Sequence, residues 1–295
     1  LADLAGRTLR ERAVPFTQPA EAYLGAIHQA IAELAAAAPS EILGCGVSIP
    51  GNFDPATGRV RQATNLAWHD VDVLGPLRGE LPFPVWIENN SNLSALAEHW
   101  FADEPVDNLV FVTLRVGLGT GLILDGRLIR GAGQSAGEFG HMTLFPAGRR
   151  CLCGNTGCWE EYASDRALVR LYQERTGETL GSLDIVARAH EGSAPAREAM
   201  EEAARALALG LGNLMMGLNP AAIAVDDWAA AGWDLIHETV WRELRARVAE
   251  AWRLGVQIFP SRRAKHSSLA GALALVLSRF YTSFESEHEG PAIEM

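Results

Sequence analysis

The residues best equipped for chemistry are three thiols and an imidazole. Cys151, Cys153 and Cys158 fall within eight residues, in C-L-C-G-N-T-G-C, and His141 stands ten residues upstream. C-x-C-x4-C puts three soft donors on one tight loop, and Gly154 and Gly157 allow its backbone to fold back with positive φ. Zinc takes four such ligands in a tetrahedron, and Cys3His is a common structural set. His141 is the best fourth ligand, since ten residues are enough chain to close the ring. Such a set has no open coordination position, so it would hold a loop and not perform a reaction. The competing readings are a reduced cysteine-rich turn and a strained local disulfide. Cys45 lies inside an apolar strand pattern and reads as a buried thiol.

The chain around the cluster alternates strand and helix patterns. Residues 19–37 have helical spacing and strong helix formers. "EILGCGVSIP" (41–50) reads as a buried strand ending at Pro50-Gly51, and "NFDPATGRV" reads as turns. "PVWIEN" (84–89) is a strand leading into the helix "NSNLSALAEHWF", which Asn90 or Ser91 could cap. "NLVFVTL" (108–114) is a strand, and "GLILDGRLIRG" (121–131) is a hairpin turning at Asp125-Gly126. A long helix over 195–218, a strand "AAIAVDD", an amphipathic helix over 232–254 and a small-residue helix over 267–281 follow. The tail "ESEHEGPAIEM" reads as solvated. This is an α/β pattern, expected as two lobes: 1–105, completed by the helix 267–282, and 106–266.

The 295 residues carry a net charge of −11, which disfavours nucleic-acid binding by this segment itself. The basic clusters "GRR" (148–150) and "SRRAK" (261–265) read as loop charges. No apolar run approaches a membrane span, and four cysteines without a secretory signal argue against a disulfide scaffold. A cytoplasmic location is expected. The opening "LADLAGRTLRERAVPF" reads as strand, turn at Ala5-Gly6, strand, so the chain is expected to begin inside a longer protein.

"GQSAGEFGHMTL…CLCGNTGCWEEYAS" resembles the signature of the ROK family, which groups bacterial sugar-responsive repressors, uncharacterised reading frames and sugar kinases. "GVSIPGNFDPATGRV", "IENNSNLSALAEHWF", "VGLGTGLILDGRLIRGAGQSAGEFGH" and "NLMMGLNPAAIAV" extend the resemblance over most of the chain. It implies a two-lobed, actin- and hexokinase-like (ribonuclease H-like) α/β fold with a zinc-clipped loop, and homodimers or homotetramers. The family's sugar-binding positions fall on Asn89, Asn90, Glu138, His141 and Glu160. Amides and carboxylates suit that task, since each can bond adjacent hydroxyls in pairs, and His141 can ligate metal through one ring nitrogen while offering the other to sugar.

The sequence departs from the family's kinases at three places. Asn90 stands where they carry the aspartate base, and an amide cannot take a proton; loss of a general base costs roughly 10²–10⁴ in rate. After "IAV" the kinases have a Gly-Gly nucleotide turn, whereas this chain has Asp226-Asp227-Trp228, whose carboxylates repel a polyphosphate unless a metal intervenes. Their N-terminal "D-x-G-x-T" hairpin is matched only in its second strand, by "LADLAGRTL". The expectation is therefore a monosaccharide-sensing, oligomerising part of a transcriptional repressor. Structural zinc would be its one cofactor. DNA contact would come through a winged helix-turn-helix absent from this chain. An ATP-dependent sugar kinase is the alternative.

Overall fold

The computed structural model describes residues 1–63, 66–261 and 267–288, with side chains through Tyr281. Residues 262–265 of the SRRAK cluster and 289–295 of the tail lie outside the described residues. The chain forms two compact units: Leu1–Ala97 with the segment from Ser268 onward, and Glu98–Ser267. No described helix is long and apolar enough to cross a membrane.

The first unit opens on an isolated antiparallel bridge, Ala2 to Thr8, closed by a turn with Gly6 at φ 81°. Helix α1 (Ala20–Ala36) matches the helical spacing of 19–37. β1 (Cys45–Ile49) follows, then β2 (Asn52–Phe53), β3 (Arg59–Ala63) and β4 (Trp68–Asp72). The last three make an antiparallel sheet, whose first strand and the start of whose second fall in the stretch 52–60 that was expected as turns. Val60, Ala63 and Trp68 are buried in it, so the face turned inward is what stabilises these short strands. Helix α2 (Leu74–Glu80) precedes β5 (Val85–Asn89), which pairs in parallel with β1 from Cys45↔Val85 to Ile49↔Asn89. α3 (Asn90–Trp100) starts directly at the end of β5. The small-residue helix is α11 (Ser267–His288), longer than expected. Its small residues allow close approach: a Cβ at Gly46 would lie 2.2 Å from the Ala272 carbonyl oxygen, and one at Gly271 would lie 1.8 Å from that of Leu93.

The second unit is built on a five-stranded sheet in the order β10-β9-β6-β7-β8. β6 (Leu109–Thr113) is buried along its whole length. β7 (Gly119–Leu124) and β8 (Arg127–Leu128) form the expected hairpin, with Asp125 at φ 49° and Gly126 at φ 71°. Two consecutive positive φ values are what a type I′ turn demands, and Asp-Gly supplies them. A 3-10 turn (Glu138–His141) and helices α4 (Glu160–Ala163), α5 (Asp165–Thr176), α6 (Ser182–His190) and α7 (Ala194–Leu218) follow. β9 (Ala222–Val225) runs parallel to β6, and α8 (Asp227–Ala231) begins one residue beyond it. The amphipathic stretch 232–254 is two helices, α9 (Trp233–Arg247) and α10 (Glu250–Arg253), because Val248 turns extended and breaks the first. β10 (Gln257–Pro260) completes the sheet.

Trp159 anchors the cysteine loop to this unit. Its ring is fully buried, its indole N–H donates to the Ala206 carbonyl at 3.0 Å, and a Cβ on Gly210 would lie 2.0 Å from the ring.

Candidate functional site

The cysteine loop is a distorted hairpin. Isolated antiparallel bridges join Thr143 to Cys158 and Arg150 to Thr156, and the Trp159 N–H donates to the Met142 carbonyl at 2.9 Å. Gly157, at φ 78°, leaves no room for a Cβ, which would stand 1.7 Å from the Phe145 carbonyl oxygen. This pairing lays residues 142–143 beside 158–159 and so brings His141 to the thiols. The ligand atoms of His141, Cys151, Cys153 and Cys158 all lie within 4.8 Å of one another. Cys153 Sγ is 3.7 Å from Cys158 Sγ, and Cys151 Sγ is 3.6 Å from His141 Nδ1. A tetrahedron with metal–sulfur bonds of about 2.3 Å has ligand–ligand edges of roughly 3.7 Å, so the donor set fits a metal closely. All four cysteines are free thiols, which removes the disulfide reading. Burial pushes the Cys151 and Cys158 thiols up, Cys151 further through its bond to Glu160. A metal would displace those protons.

His141 turns its other nitrogen, Nε2, away from the thiols, 3.9 Å from Glu138 Oε2. The 3-10 turn that carries both residues is pressed onto β7: a Cβ at Gly140 would lie 2.0 Å from the Leu118 carbonyl oxygen, and one at Gly137 would lie 2.3 Å from that of Thr120. Glu160 heads α4, two residues past Cys158, and is buried. Its Oε1 accepts from Cys151 Sγ at 2.9 Å and lies 3.6 Å from His141 Nδ1. The second unit therefore gathers Glu138 and Glu160 around the His141 imidazole.

Asn89 and Asn90 belong to the first unit, at the junction of β5 and α3. Asn89, and not Asn90 or Ser91, caps the helix: its Oδ1 accepts from the Ser91 amide at 2.8 Å and from the Asn92 amide at 3.4 Å. Its Nδ2 donates to the Gly51 carbonyl at 3.2 Å. The Asn90 carbonyl accepts from Ser94 Oγ, whereas its side-chain amide makes no hydrogen bond among the described residues.

A carboxylate cluster lies at the C-terminal ends of β6 and β9, where ligands of parallel α/β sheets usually sit. Asp227 occupies the left-handed region at φ 53°, where glycine is at ease. Its Oδ2 accepts from the Leu114 amide at 3.1 Å and its Oδ1 lies 3.4 Å from Arg115 Nε. Asp226 is fully buried, accepts from the Asp227 amide at 2.8 Å and from Ser267 Oγ at 3.1 Å, and stands 3.8 Å from Arg115 Nη2. Burial, reinforced by Asp226, pushes the Asp227 carboxyl up to about 7 against the pull of Arg115. Burial likewise raises Asp165, to about 6, and Asp226. A cavity of about 440 Å³ opens here, lined by Asp165, Arg166, Ser182, Asp184 and Asp227 with Val116, Val169 and Leu183. Sequence reasoning singled out Asp226 and Asp227 but missed Arg115, Asp165 and Arg166. The Ser-Asp-Arg start of α5 was the available signal, since Ser164 caps that helix through the Ala167 amide.

Arg149 of the GRR cluster is more than a loop charge: it stacks 5.0 Å above the Tyr162 ring and lies 3.7 Å from Glu174.

The ROK family model matches residues 1–279. The xylose repressor of Caldicellulosiruptor bescii is 32% identical over 81% of this chain and 64% of its own length, so the chain spans just under two thirds of that relative. A ROK family glucokinase from Streptomyces griseus, solved with glucose and AMPPNP, is 28% identical and superposes with a TM-score of 0.83 over 94% of both chains. A ROK family transcriptional regulator described as a homologue of the E. coli MLC protein is 25% identical, with a TM-score of 0.78 over 86% of this chain and 68% of that one. Repressors and kinases thus stand side by side among its relatives. With the signature, the sheet order and these matches in agreement, the chain belongs to the ROK family and has its hexokinase-like, actin-related α/β fold.

Proposed function

We propose that this chain is the sugar-sensing and oligomerising part of a transcriptional regulator, which binds a monosaccharide without phosphorylating it. The observation that carries the reading is Asn90: at the head of α3, where a kinase needs a carboxylate to accept the hydroxyl proton, stands an amide with no hydrogen bond among the described residues. It can bond a hydroxyl but cannot deprotonate it. The cluster at the end of β9 points the same way, because Asp226 and Asp227 put carboxylates where a polyphosphate would need backbone amides and a cation.

In this reading Asn89, Asn90, Glu138, His141 and Glu160 bond the sugar. A structural zinc on His141, Cys151, Cys153 and Cys158 fixes the loop that carries three of those acceptors. The ion would supply rigidity alone, having no open coordination position. DNA contact comes from a domain outside this chain, and sugar acts by favouring one of two conformations through differential affinity.

The similarity to the S. griseus glucokinase over nearly the whole chain favours a second reading, an ATP-dependent sugar kinase. Calorimetry with a panel of monosaccharides, alone and with MgATP, separates the two. The sensor reading expects sugar binding, no ADP release and no effect of ATP; sugar-dependent ADP release at a kinase rate would overturn it.

A further inference from the structure

Glu160 and Glu161 are consecutive, buried carboxylates, and each requires donors. Glu161 is held firmly: Arg166 Nη2 donates to its Oε1 at 2.8 Å and Arg170 Nη1 to its Oε2 at 3.3 Å, while Arg170 Nη2 also reaches its carbonyl. That clamp fixes the Arg166 guanidinium, whose Nη2 then lies 3.7 Å from Glu160 Oε1. The nearest partner of Glu160 is Cys151 Sγ at 2.9 Å, with His141 Nδ1 at 3.6 Å. Both are members of the metal-ligand set. A metal-bound thiolate has no proton, and a ligating ring nitrogen cannot donate, so neither serves Glu160 when the loop holds its ion. The Leu118 amide, 3.5 Å from Oε2, is a weak substitute. Space beside Oε2 exists only because residue 117 is glycine, whose added Cβ would stand 2.8 Å away.

We propose that Arg166 is the positioning residue that holds Glu160 in place as a sugar acceptor once the loop is metal-loaded. The inference rests on the sugar-sensing reading of Glu160. Arg166 does this from the head of α5, through Glu161, and without touching the sugar. A lysine keeps the charge but loses the fixed planar geometry that aims one Nη2 at both carboxylates, so it restores the function only in part.

The test compares the zinc-loaded wild type with Arg166→Met and Arg166→Lys, titrated calorimetrically with D-xylose and with D-glucose, with zinc content measured on each preparation. Arg166→Met is expected to weaken sugar binding about tenfold or more, with zinc still at one per chain, and Arg166→Lys to recover much of the loss. Unchanged affinity in Arg166→Met overturns the proposal. So does joint loss of zinc and sugar in both variants, which would make Arg166 a support of the loop alone. If the wild type binds neither sugar, the sensing reading fails for those ligands. The positioning claim is then decided by crystal structures of the zinc-loaded wild type and Arg166→Met: a displaced Glu160 carboxylate supports it and an unmoved one refutes it.

Discussion

Asp227 bonds the Leu114 amide at 3.1 Å from a backbone held at φ 53°, so the carboxylate at the end of β9 is tied to the end of β6 at the cost of a left-handed residue. The raised carboxyl makes this tie pH-dependent. The folded chain keeps a proton on Asp227 up to about pH 7, whereas an unfolded aspartate loses it near 3.8. The folded state binds more protons between those values, so the contribution of Asp227 to stability falls as pH rises from about 4 to 7 and remains low above. Asp227→Asn keeps an acceptor for Leu114 and removes the charge. Its melting temperature is expected to exceed that of the wild type at pH 8, and the gap to close near pH 4; circular dichroism melts across that range decide it.

Asn89 and Asn90 are neighbours of the same type, and in the proposed reading both bond sugar, but only Asn89 also holds the fold. Asn89→Ala removes the cap of α3 and the bond to Gly51, which should cost about 1 kcal/mol or more of stability. Asn90→Ala removes an amide with no partner among the described residues. It is expected to leave the urea midpoint nearly unchanged while weakening sugar binding about tenfold, the worth of one well-made hydrogen bond. Equal destabilisation by both substitutions would contradict this division.

Replacing Cys153 by serine should abolish metal uptake, because a closed four-ligand site loses its tetrahedron with any one donor. Elemental analysis checks the content, and sugar titration of the same sample checks the coupling: affinity that survives verified metal removal would separate the loop from the sugar. Because burial holds Cys151 and Cys158 protonated, loading should release protons and weaken as pH falls. Calorimetry in buffers of different ionisation enthalpy counts them.

Gly46→Ala tests the packing of α11 on β1. The added methyl would stand 2.2 Å from the Ala272 carbonyl oxygen, backbone against backbone, with no flexible atom to yield. A loss of about 1–3 kcal/mol is expected in urea denaturation.

The grouping of His141 with Cys151, Cys153 and Cys158 was legible in the sequence because the four are local and their spacing brings their donor atoms together. The hairpin at Asp125-Gly126 was legible because few residues accept two positive φ values in succession. The sheet of β2, β3 and β4 was not, since its strands are two to five residues long and their turn residues outweigh the alternation. The break between α9 and α10 escaped because apolar spacing continues across Val248. The grouping of Arg115 with Asp165 and Asp227 escaped for another reason. These residues come from three separate elements, and only the pairing of β6 with β9 and the docking of α5 bring them together.

Trp159 sits between Cys158 and Glu160, and its ring fills the space that the missing side chain of Gly210 leaves on α7. The two positions are therefore not free to vary alone. Any larger residue at 210 needs a smaller ring at 159, and a smaller ring there leaves the loop without its bolt. Covariation between 159 and 210 should follow among homologues, with drift at a helix remote in sequence constrained by the loop that it bolts down.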